Sequence, residues 1–585
     1  MERIGLLVKH YNVPPENILG LTFTRNSSEE MRQRLVPVLG ELASRVTLST
    51  IHSFCHYLLR SEGMTFEILS GKDQIVFLRN IMKHKRLKDL SLGMVLREIS
   101  LAKNNLIDVH GLRVLYDGDK TMLKVADIYE SYDTEKEKKY LMDFDDLLVE
   151  THRLLNDHPE IRAKYAERYL HLLVDEYQDT NPVQVEILKK LINGNGNGSS
   201  FWICGDDWQS IYAFTGASVG NILHFKRVFE GSEIFILDLN YRSTPQILKA
   251  CQNLIQHNVR KIEKTLTTNN QDGEDIIVLE ASSEEGEALN LVNEITELTK
   301  CRGYDYQDIA VLYRANFQSR VVEEIFSQHK IPYHIQNGQN FYSRSEVRHL
   351  LDYLRVIANP DTEEADEALL SILNIPNRYV SRKFTRELEE FADKRKVHLY
   401  EGLQQFPVDL PYVRHNVREF ISFMNPLIDY SGNLGPAEAI GIIRNSLDYD
   451  RFITDEDMPT PDDVKIQNIN QLLLSATRYS DIKSFLEYTD TFQEVEITDS
   501  KEGVALMTIH KAKGLEFQVV FVIGLIEGIS PTRRGDIEEE RRIIFVAISR
   551  AMELLYLSHS RSFMGQSCQK SIFLDEIMGI KEKDT

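Results

Sequence analysis

The stretch Leu172-Leu173-Val174-Asp175-Glu176-Tyr177-Gln178-Asp179-Thr180 limits the folding options of this chain more than any other. An apolar run stops at two adjacent carboxylates, with an amide, a hydroxyl and a third acid close behind. A strand buried in a parallel sheet reads as a continuous apolar run, and ligands of open α/β sheets gather beyond the carboxyl ends of the strands. Asp175 and Glu176 are therefore expected at a strand tip, where a phosphate-bound metal and an attacking water can meet. Taken alone, such a pattern is more often a strand leading into a solvated acidic turn. The functional reading needs partners elsewhere in the chain.

The flanking sequence supplies the rest of a sheet. Residues 2–11 (ERIGLLVKHY) carry a helical apolar face, closed by Pro14-Pro15. Ile18 to Thr24 is β-prone, and Ser27 to Leu35 opens with serines and acids, as helices do. Val46 to Thr50 is another expected strand, and IHSFCHYLLR a helix. Strand alternating with helix predicts a parallel sheet. From about Thr65 to Tyr140 the chain is charged and helix-rich, which predicts a helical insertion. FWICGDD and IFILDLNYRS are further expected strands. Asn193 to Ser200 resembles a glycine-rich phosphate loop but lacks a following Lys-Ser/Thr, so a helix-to-strand turn is expected. DIIVLEA, DIAVLYRA and VVFVIGL then read as strands of a second α/β unit, interrupted by a mostly helical region between about Glu346 and Asp499.

Composition excludes several classes. No run of about 18 apolar residues occurs, so no membrane span is indicated, and the N-terminus lacks the features of a signal peptide. Cys55, Cys204, Cys251, Cys301 and Cys568 are scattered, which fits a reducing cytoplasm and argues against zinc or disulfide frameworks. The net charge of −21 argues against indiscriminate coating of nucleic acid. A local basic or aromatic groove remains compatible, because charges are screened beyond roughly 10 Å at 0.1 M salt.

Chemistry-bearing residues recur after strands. Gln209, in GDDWQSIYAFTGA, follows the FWIC strand, where an amide can orient a water or sense a γ-phosphate. Tyr212 and Phe214 lie in the same loop and can stack on bases; core packing is the bland alternative. Arg242 follows a strand in LNYRSTPQI. Arg550 sits on an otherwise apolar segment in EERRIIFVAISRAMELLYL and calls for an anionic partner, with a structural salt bridge as the equal alternative.

In order and spacing these blocks resemble the motifs of the superfamily 1 DNA helicases of the UvrD/Rep/PcrA type. TFTRNSSEEM resembles their motif Ia, STIHSFCHYLLR the DNA-contact block after it, DEYQDT motif II, GDDWQSIYAFTGA motif III, NYRS motif IV, HKAKGLEF motif V and VAISRA motif VI. The form DDWQSIY, rather than DDDQSIY, resembles the helicase IV branch. The resemblance implies an α/β fold of two RecA-like parallel-sheet motor domains, each with a helical insertion. It divides the chain into 1–68 and 141–240 (first motor domain), 69–140 (first insertion), 241–345 and 500–585 (second motor domain) and 346–499 (second insertion). It further implies an ATP-dependent, 3′-to-5′ helicase acting on single-stranded DNA and single-strand/duplex junctions, with ATP and Mg²⁺ as cofactors and repair or replication proteins as partners. By residue, it implies that Asp175 holds Mg²⁺, Glu176 activates water and Gln209 couples the γ-phosphate to the DNA track. Arg242 and Arg550 neutralise the transferred phosphoryl, Tyr241 stacks on adenine and Glu516 binds the ribose. Phe23, Thr24, Thr50, His52, Tyr212, Phe214 and His510 match positions on the DNA path.

The sequence also departs from that pattern. No G-x-x-x-x-G-K-[ST] occurs in the 585 residues. That loop cradles phosphates with backbone N–H groups and a lysine. Two readings stay open: a first motor domain truncated at its N-terminus, or a shortened helicase-like protein that binds DNA or regulates a partner without hydrolysing ATP. Thr215 stands where the family carries an arginine, so one polar DNA contact is expected to be lost. IPNRYVS (Ile375 to Ser381) replaces a glycine-bearing turn that grips duplex phosphate, and Tyr379 there is expected to prevent close backbone approach. No nuclease-type acidic cluster is evident.

Overall fold

The apolar run around Leu172 forms a strand, His171–Val174, inside a four-stranded, wholly parallel sheet. The computed structural model describes residues 1–87, 90–192, 199–336, 339–454, 463–492 and 502–580. They divide into two units, Met1–Asp238 with Asn258–Thr265, and Leu239–His257 with Leu266–Thr585.

The first unit's strands are β1 (Ile18–Thr22), β2 (Thr47–Thr50), β3 (His171–Val174) and β4 (Ser200–Ile203), in the order β2-β1-β3-β4. Every residue of β1 is buried, as a central parallel strand requires. Helix α1 (Glu2–Lys9) contributes Ile4, Leu7 and Val8 to a core shared with Leu35, Leu39 and Leu48. Helix α2 (Arg25–Leu39) starts two residues earlier than its serines suggest, because Thr24 caps it: its Oγ1 accepts from the Ser27 N–H at 3.1 Å. Thr50 caps α3 (Ile51–Ser61) in the same way, through the Ser53 N–H at 3.1 Å. A cap of this kind is worth about 1 kcal/mol.

Helices Gly71–His84, α4 (Leu92–Asn104), Val109–Leu115 and α5 (Lys120–Lys138) form a separate helical body with its own core around Leu78, Val95, Ile99, Val125 and Tyr132. A two-residue ladder, Glu67–Ile68 with Leu141–Met142, closes its base. Helix α6 (Phe144–Asp157) leads back to the sheet, and the buried ammoniums of Lys103 and Lys136 share Asp143 and Asp146 near its start. Helix α7 (Pro182–Ile192) follows β3.

One expected strand is not formed. Of the IFILDLNYRS run only Leu239–Asn240 pairs, with Thr267–Thr268; Ile234, Phe235, Ile236 and Leu237 are exposed and outside any ladder. β-propensity is realised only with a cross-strand partner and a buried face, and this apolar run has neither. The glycine-rich turn expected at 193–198 lies outside the described residues.

The second unit is built on a six-stranded parallel sheet of β5 (Ile277–Ala281), β6 (Ile309–Tyr313), β7 (Tyr333–Ile335), β8 (Val504–Thr508), β9 (Phe517–Val522) and β10 (Ala551–Ser560). Their order is β7-β8-β6-β9-β10-β5. Between β7 and β8 the described residues are mostly helical, from Ser345–Ala358 to Ile482–Asp490, around a core that includes Leu350, Tyr353, Leu369, Met424 and Leu472. The fold class is therefore α/β, with two parallel sheets and two helical insertions. Among the described residues no helix is long and apolar enough to cross a membrane.

Candidate functional site

Beyond β3 the chain turns sharply. The Asp175 N–H still donates to Leu21 O at 2.9 Å, extending the ladder by one bond. Glu176 then adopts φ +53°, in the left-handed region that side chains rarely visit. Such a residue costs about 1–3 kcal/mol and persists only where its surroundings impose it. Here Tyr177 N–H donates to Cys204 O at 3.0 Å, tying the turn to the end of β4. Gln178 is fully buried; its Nε2 donates to the Glu176 carboxylate, and its Oε1 accepts from the Asp206 N–H at 3.0 Å. Gly205 leaves room for that amide, since a Cβ there would sit 2.6 Å from Gln178 Oε1. Burial, and then the charge of Glu176, push the Asp175 carboxyl above its ordinary range.

Gln209 lies on the neighbouring loop, its Nε2 donating to Asp206 Oδ2 at 2.7 Å. Asp206 and the nearly buried Asp207 share the ammonium of Lys264, which also sits 4.5 Å from the centre of the Trp208 ring. The Ile262 N–H donates to Asp207 Oδ2 at 2.7 Å. Burial by itself would lower the Lys264 pKa; the two carboxylates outweigh it and hold it above the usual value. Segment Asn258–Thr265 thus clamps the loop that carries Gln209.

The aromatic positions meet as a row. Phe23 stacks on Tyr212 with centroids 5.1 Å apart, and Tyr212 lies 6.0 Å from Phe214. A cavity of about 300 Å³ opens beside them, lined among others by Phe23, His52, Asn104, Asp145, Phe214 and Thr215. A smaller pocket continues from Phe23 and His52 to Asp175 and Glu176. Burial holds the His52 imidazole below its ordinary pKa. Thr24 and Thr50 stand beside this row with their hydroxyls engaged in capping, and the Thr215 hydroxyl donates to Tyr212 O at 2.8 Å. Asn104 joins the parts: its Nδ2 donates to Asp145 Oδ1 at 3.1 Å, and its Oδ1 accepts from Asn181 Nδ2 at 2.7 Å.

In the second unit, Arg242 Nε donates to Glu516 Oε2 at 2.8 Å and its Nη1 to Ser549 O at 3.2 Å. Asn240 Oδ1 fixes the turn by accepting the N–H groups of Arg242 and Ser243, each at 2.9 Å. Tyr241 is 77% exposed. Arg550 is 1% exposed and donates to Val546 O, Leu515 O and Ser549 Oγ at 2.9, 3.1 and 2.9 Å. Arg242, Glu516 and Arg550 are thus gathered around Leu515 to Glu516 and Ser549. His510, on the turn after β8, has its pKa pushed down to about 4 by burial and then by Arg314.

Residues 1–230 match the family described as the UvrD/REP helicase N-terminal domain, and residues 235–562 the UvrD-like helicase C-terminal domain. The chain belongs to the UvrD/Rep helicase family. It is 33% identical over 606 aligned positions to the ATP-dependent DNA helicase PcrA of Staphylococcus epidermidis, covering 98% of this chain and 82% of that protein. The ATP-dependent DNA helicase PcrA of Staphylococcus aureus is 32% identical over 605 positions, with the same coverage. Against this UvrD/Rep background, Gln178, Asp206, Lys264 and Asn104 are the residues that reading the sequence left out. Gln178 and Asp206 stand inside quoted motifs, so their neighbours were the available signal. Lys264 and Asn104 reach the site only through the tertiary path of the chain.

Proposed function

We propose that this chain is the motor of an ATP-dependent DNA helicase that moves 3′-to-5′ along single-stranded DNA and opens duplex at junctions, in cytoplasmic DNA repair or replication. The observation that carries the reading is the run of pockets in the first unit from Phe214, Phe23 and His52 to Asp175 and Glu176. Aromatic side chains there stack on bases at about 1–3 kcal/mol each, next to the carboxylates that serve the nucleotide. Phe23, Tyr212, Phe214 and His52 line the strand's path, with Thr24, Thr50 and His510 as further contacts. Repair or replication proteins are the expected protein partners.

A Mg²⁺ ion fits the donor set. Burial first, and then the charge of Glu176, raise the half-buried Asp175 carboxyl, and a divalent cation relieves both effects. Mg²⁺ takes one or two carboxylates and keeps water and phosphate oxygens for the rest. Glu176, held by Gln178, would accept a proton from water, and Gln209 would orient it. Tyr241 would stack on adenine, Glu516 would hold the ribose, and Arg242 and Arg550 would offset phosphoryl charge after leaving the partners described above. ATP supplies the hydrolysable phosphate that drives stepping. The 585 residues contain no G-x-x-x-x-G-K-[ST].

The alternative reading is a helicase-like protein that occupies DNA without turnover. ATP hydrolysis by the 585-residue chain, measured with and without single-stranded DNA, decides between them. DNA-stimulated hydrolysis eliminates the second reading. Salt-sensitive DNA binding that ATP does not alter, with no hydrolysis, eliminates the first for this polypeptide.

A further inference from the structure

Helix Glu284–Cys301 brings Glu284 and Glu287, one turn apart, to the wall of a cavity of about 20 Å³ in the second unit. The two residues are 7% and 6% exposed, and Val321, Ile523 and Phe563 make much of the remaining wall apolar. Gln318, also 6% exposed, lines the cavity with an amide. Its Oε1 accepts the Ala315 N–H at 2.9 Å, which fixes the orientation of the amide; its Nε2 lies over Gly524, where a Cβ would overlap it. Among the described residues that Nε2 meets no acceptor, and Glu284 Oε1 meets no hydrogen-bond donor. Buried polar groups are nearly always satisfied, so a donor and an acceptor left over on the walls of one cavity call for a group between them.

The charges around the cavity do not balance either. Arg320, on helix Ser319–Gln328, gives its Nη1 to both oxygens of Glu324 at 2.8 and 2.9 Å, and Tyr342 Oη donates to the same carboxylate at 2.6 Å. Glu284 Oε1 stands 3.7 Å from Arg320 Nη2, and its Oε2 accepts only a long bond, 3.4 Å, from Gln471 Nε2. Glu287 has no ion pair among the described residues; its Oε1 accepts the Gly524 N–H at 2.8 Å and the Ser558 hydroxyl. Glu285 pairs with Arg478, and Glu323 lies 3.8 Å from Arg344. The Cys568 thiol faces the pair too, raised by burial first and then by Glu287. Glu284 and Glu287 are thus left with part of one guanidinium that Glu324 already holds. A buried carboxylate without its own counter-charge takes up a proton instead. Burial pushes the Glu284 carboxyl up to about 7 against the pull of Arg320, and burial raises Glu287 as well.

We propose that the cavity binds one water, which accepts from Gln318 Nε2 and donates to Glu284 Oε1, and that Glu284 and Glu287 share a single proton beside it. A cavity needs about 10–15 Å³ to hold a water, and this one meets that. A metal cation suits the carboxylates but not the inward N–H of Gln318, whereas a water serves donor and acceptor alike. The site also reaches the second helical insertion. Gln471, on helix Val464–Ala476, accepts from Arg320 Nε at 2.6 Å while donating to Glu284. The shared proton is therefore part of what fastens that helix to the second sheet, and its loss places a second charge in the joint.

Two measurements on the full chain test this. A crystal structure grown with rubidium chloride is expected to show one peak within hydrogen-bond reach of Gln318 Nε2 and Glu284 Oε1, without anomalous signal. An empty cavity overturns the water, and a rubidium signal there overturns it in favour of a cation. Urea unfolding against pH reads the proton. An unfolded glutamate titrates near about 4.3. Between that value and about 7 the folded chain holds the extra proton, so its folding constant falls by up to about tenfold per pH unit; the contribution is complete below the window and lost above it. Glu284→Gln imitates the protonated side chain, so the ratio of parent to variant folding constants should fall across the window and level off above it. A level ratio throughout overturns the proton. Glu287→Gln should abolish the slope as well, because Glu284 then has no competing charge in the cavity; a slope that persists places the proton on Glu284 alone and overturns the sharing. Amide exchange at Gln471 to Ala476 should be faster in the parent than in Glu284→Gln above the window and equal below it. Equal exchange throughout overturns the link to the insertion.

Discussion

Lys264 holds its ammonium 4.5 Å from the centre of the Trp208 ring while donating to Asp207 Oδ1 at 2.9 Å. The lysine side chain is 12% exposed and that of Asp207 1%. Removing one partner of a buried pair leaves the other charge uncompensated and costs about 3–5 kcal/mol. Lys264→Met is therefore expected to destabilise the first unit by about 3 kcal/mol in urea unfolding, and Lys264→Arg by less. Because Asp206 also holds Gln209, the methionine variant should free the Gln209 loop, read as faster amide exchange at Trp208 to Ser210. Unchanged exchange there would sink the idea that Lys264 positions Gln209.

Gly205 is a close-approach site. Alanine there would put a Cβ 2.6 Å from Gln178 Oε1 and 2.9 Å from Ile222 Cδ1. Gln178 must then give up the Asp206 N–H or shift off Glu176. Overpacking of this kind costs about 1–3 kcal/mol, and thermal unfolding of Gly205→Ala should show it. In a Gln178→Ala background the same substitution should cost less by at least about 0.5 kcal/mol, as neighbours in one network do. Full additivity would mean that the clash is absorbed elsewhere.

The acid pair at a strand tip was legible because a buried parallel strand leaves an unbroken apolar run, and Leu172 to Val174 is one. Ile309 to Tyr313 was legible for the same reason. Ala551–Ser560 was not, because its apolar run joins that of the preceding helix, Ile537–Ile548, without a turn signal between them. Ile234 to Leu237 failed in the opposite sense: β-prone residues made no strand without a ladder to join. At the site, motif spacing marked Gln209 and Phe23, but the clamp on Asp206 comes from Lys264, 58 residues further along the chain. That contact depends on segment Asn258–Thr265 leaving the second unit's sequence neighbourhood, which no local pattern encodes.

Asn104 should matter to both pocket and fold. It is 4% exposed, bridges Asp145 and Asn181, and lies 3.1 Å from where a Cβ on Gly216 would stand. Asn104→Ala leaves the buried Asn181 amide and the half-buried Asp145 carboxylate short of a partner, at about 1–3 kcal/mol. Asn104→Asp is the sharper test. Burial, and then the charge of Asp143, already hold the Asp145 carboxyl high, and a new carboxylate beside it adds repulsion that protonation relieves. The aspartate variant should be least stable relative to the parent at neutral pH and recover as pH falls. Equal deficits at acid and neutral pH would overturn this account.

His510 makes acid stability of the second unit testable. Its folded pKa is pushed down to about 4 by burial first, then by Arg314 and Lys513, against the pull of Glu540. An unfolded histidine titrates near about 6.5. Between those values the unfolded chain binds more protons, so stability rises with pH there. The contribution is complete above about pH 6.5 and is lost as pH falls through the folded value, up to about 3 kcal/mol in all. His510→Gln keeps a polar side chain without the titration. The stability difference between parent and variant, from urea unfolding, is expected to be flat from pH 8 to about 7 and then to shift against the parent towards about pH 4. A difference that stays constant across that range would show that His510 is as easily protonated folded as unfolded, and that its burial does not set its charge.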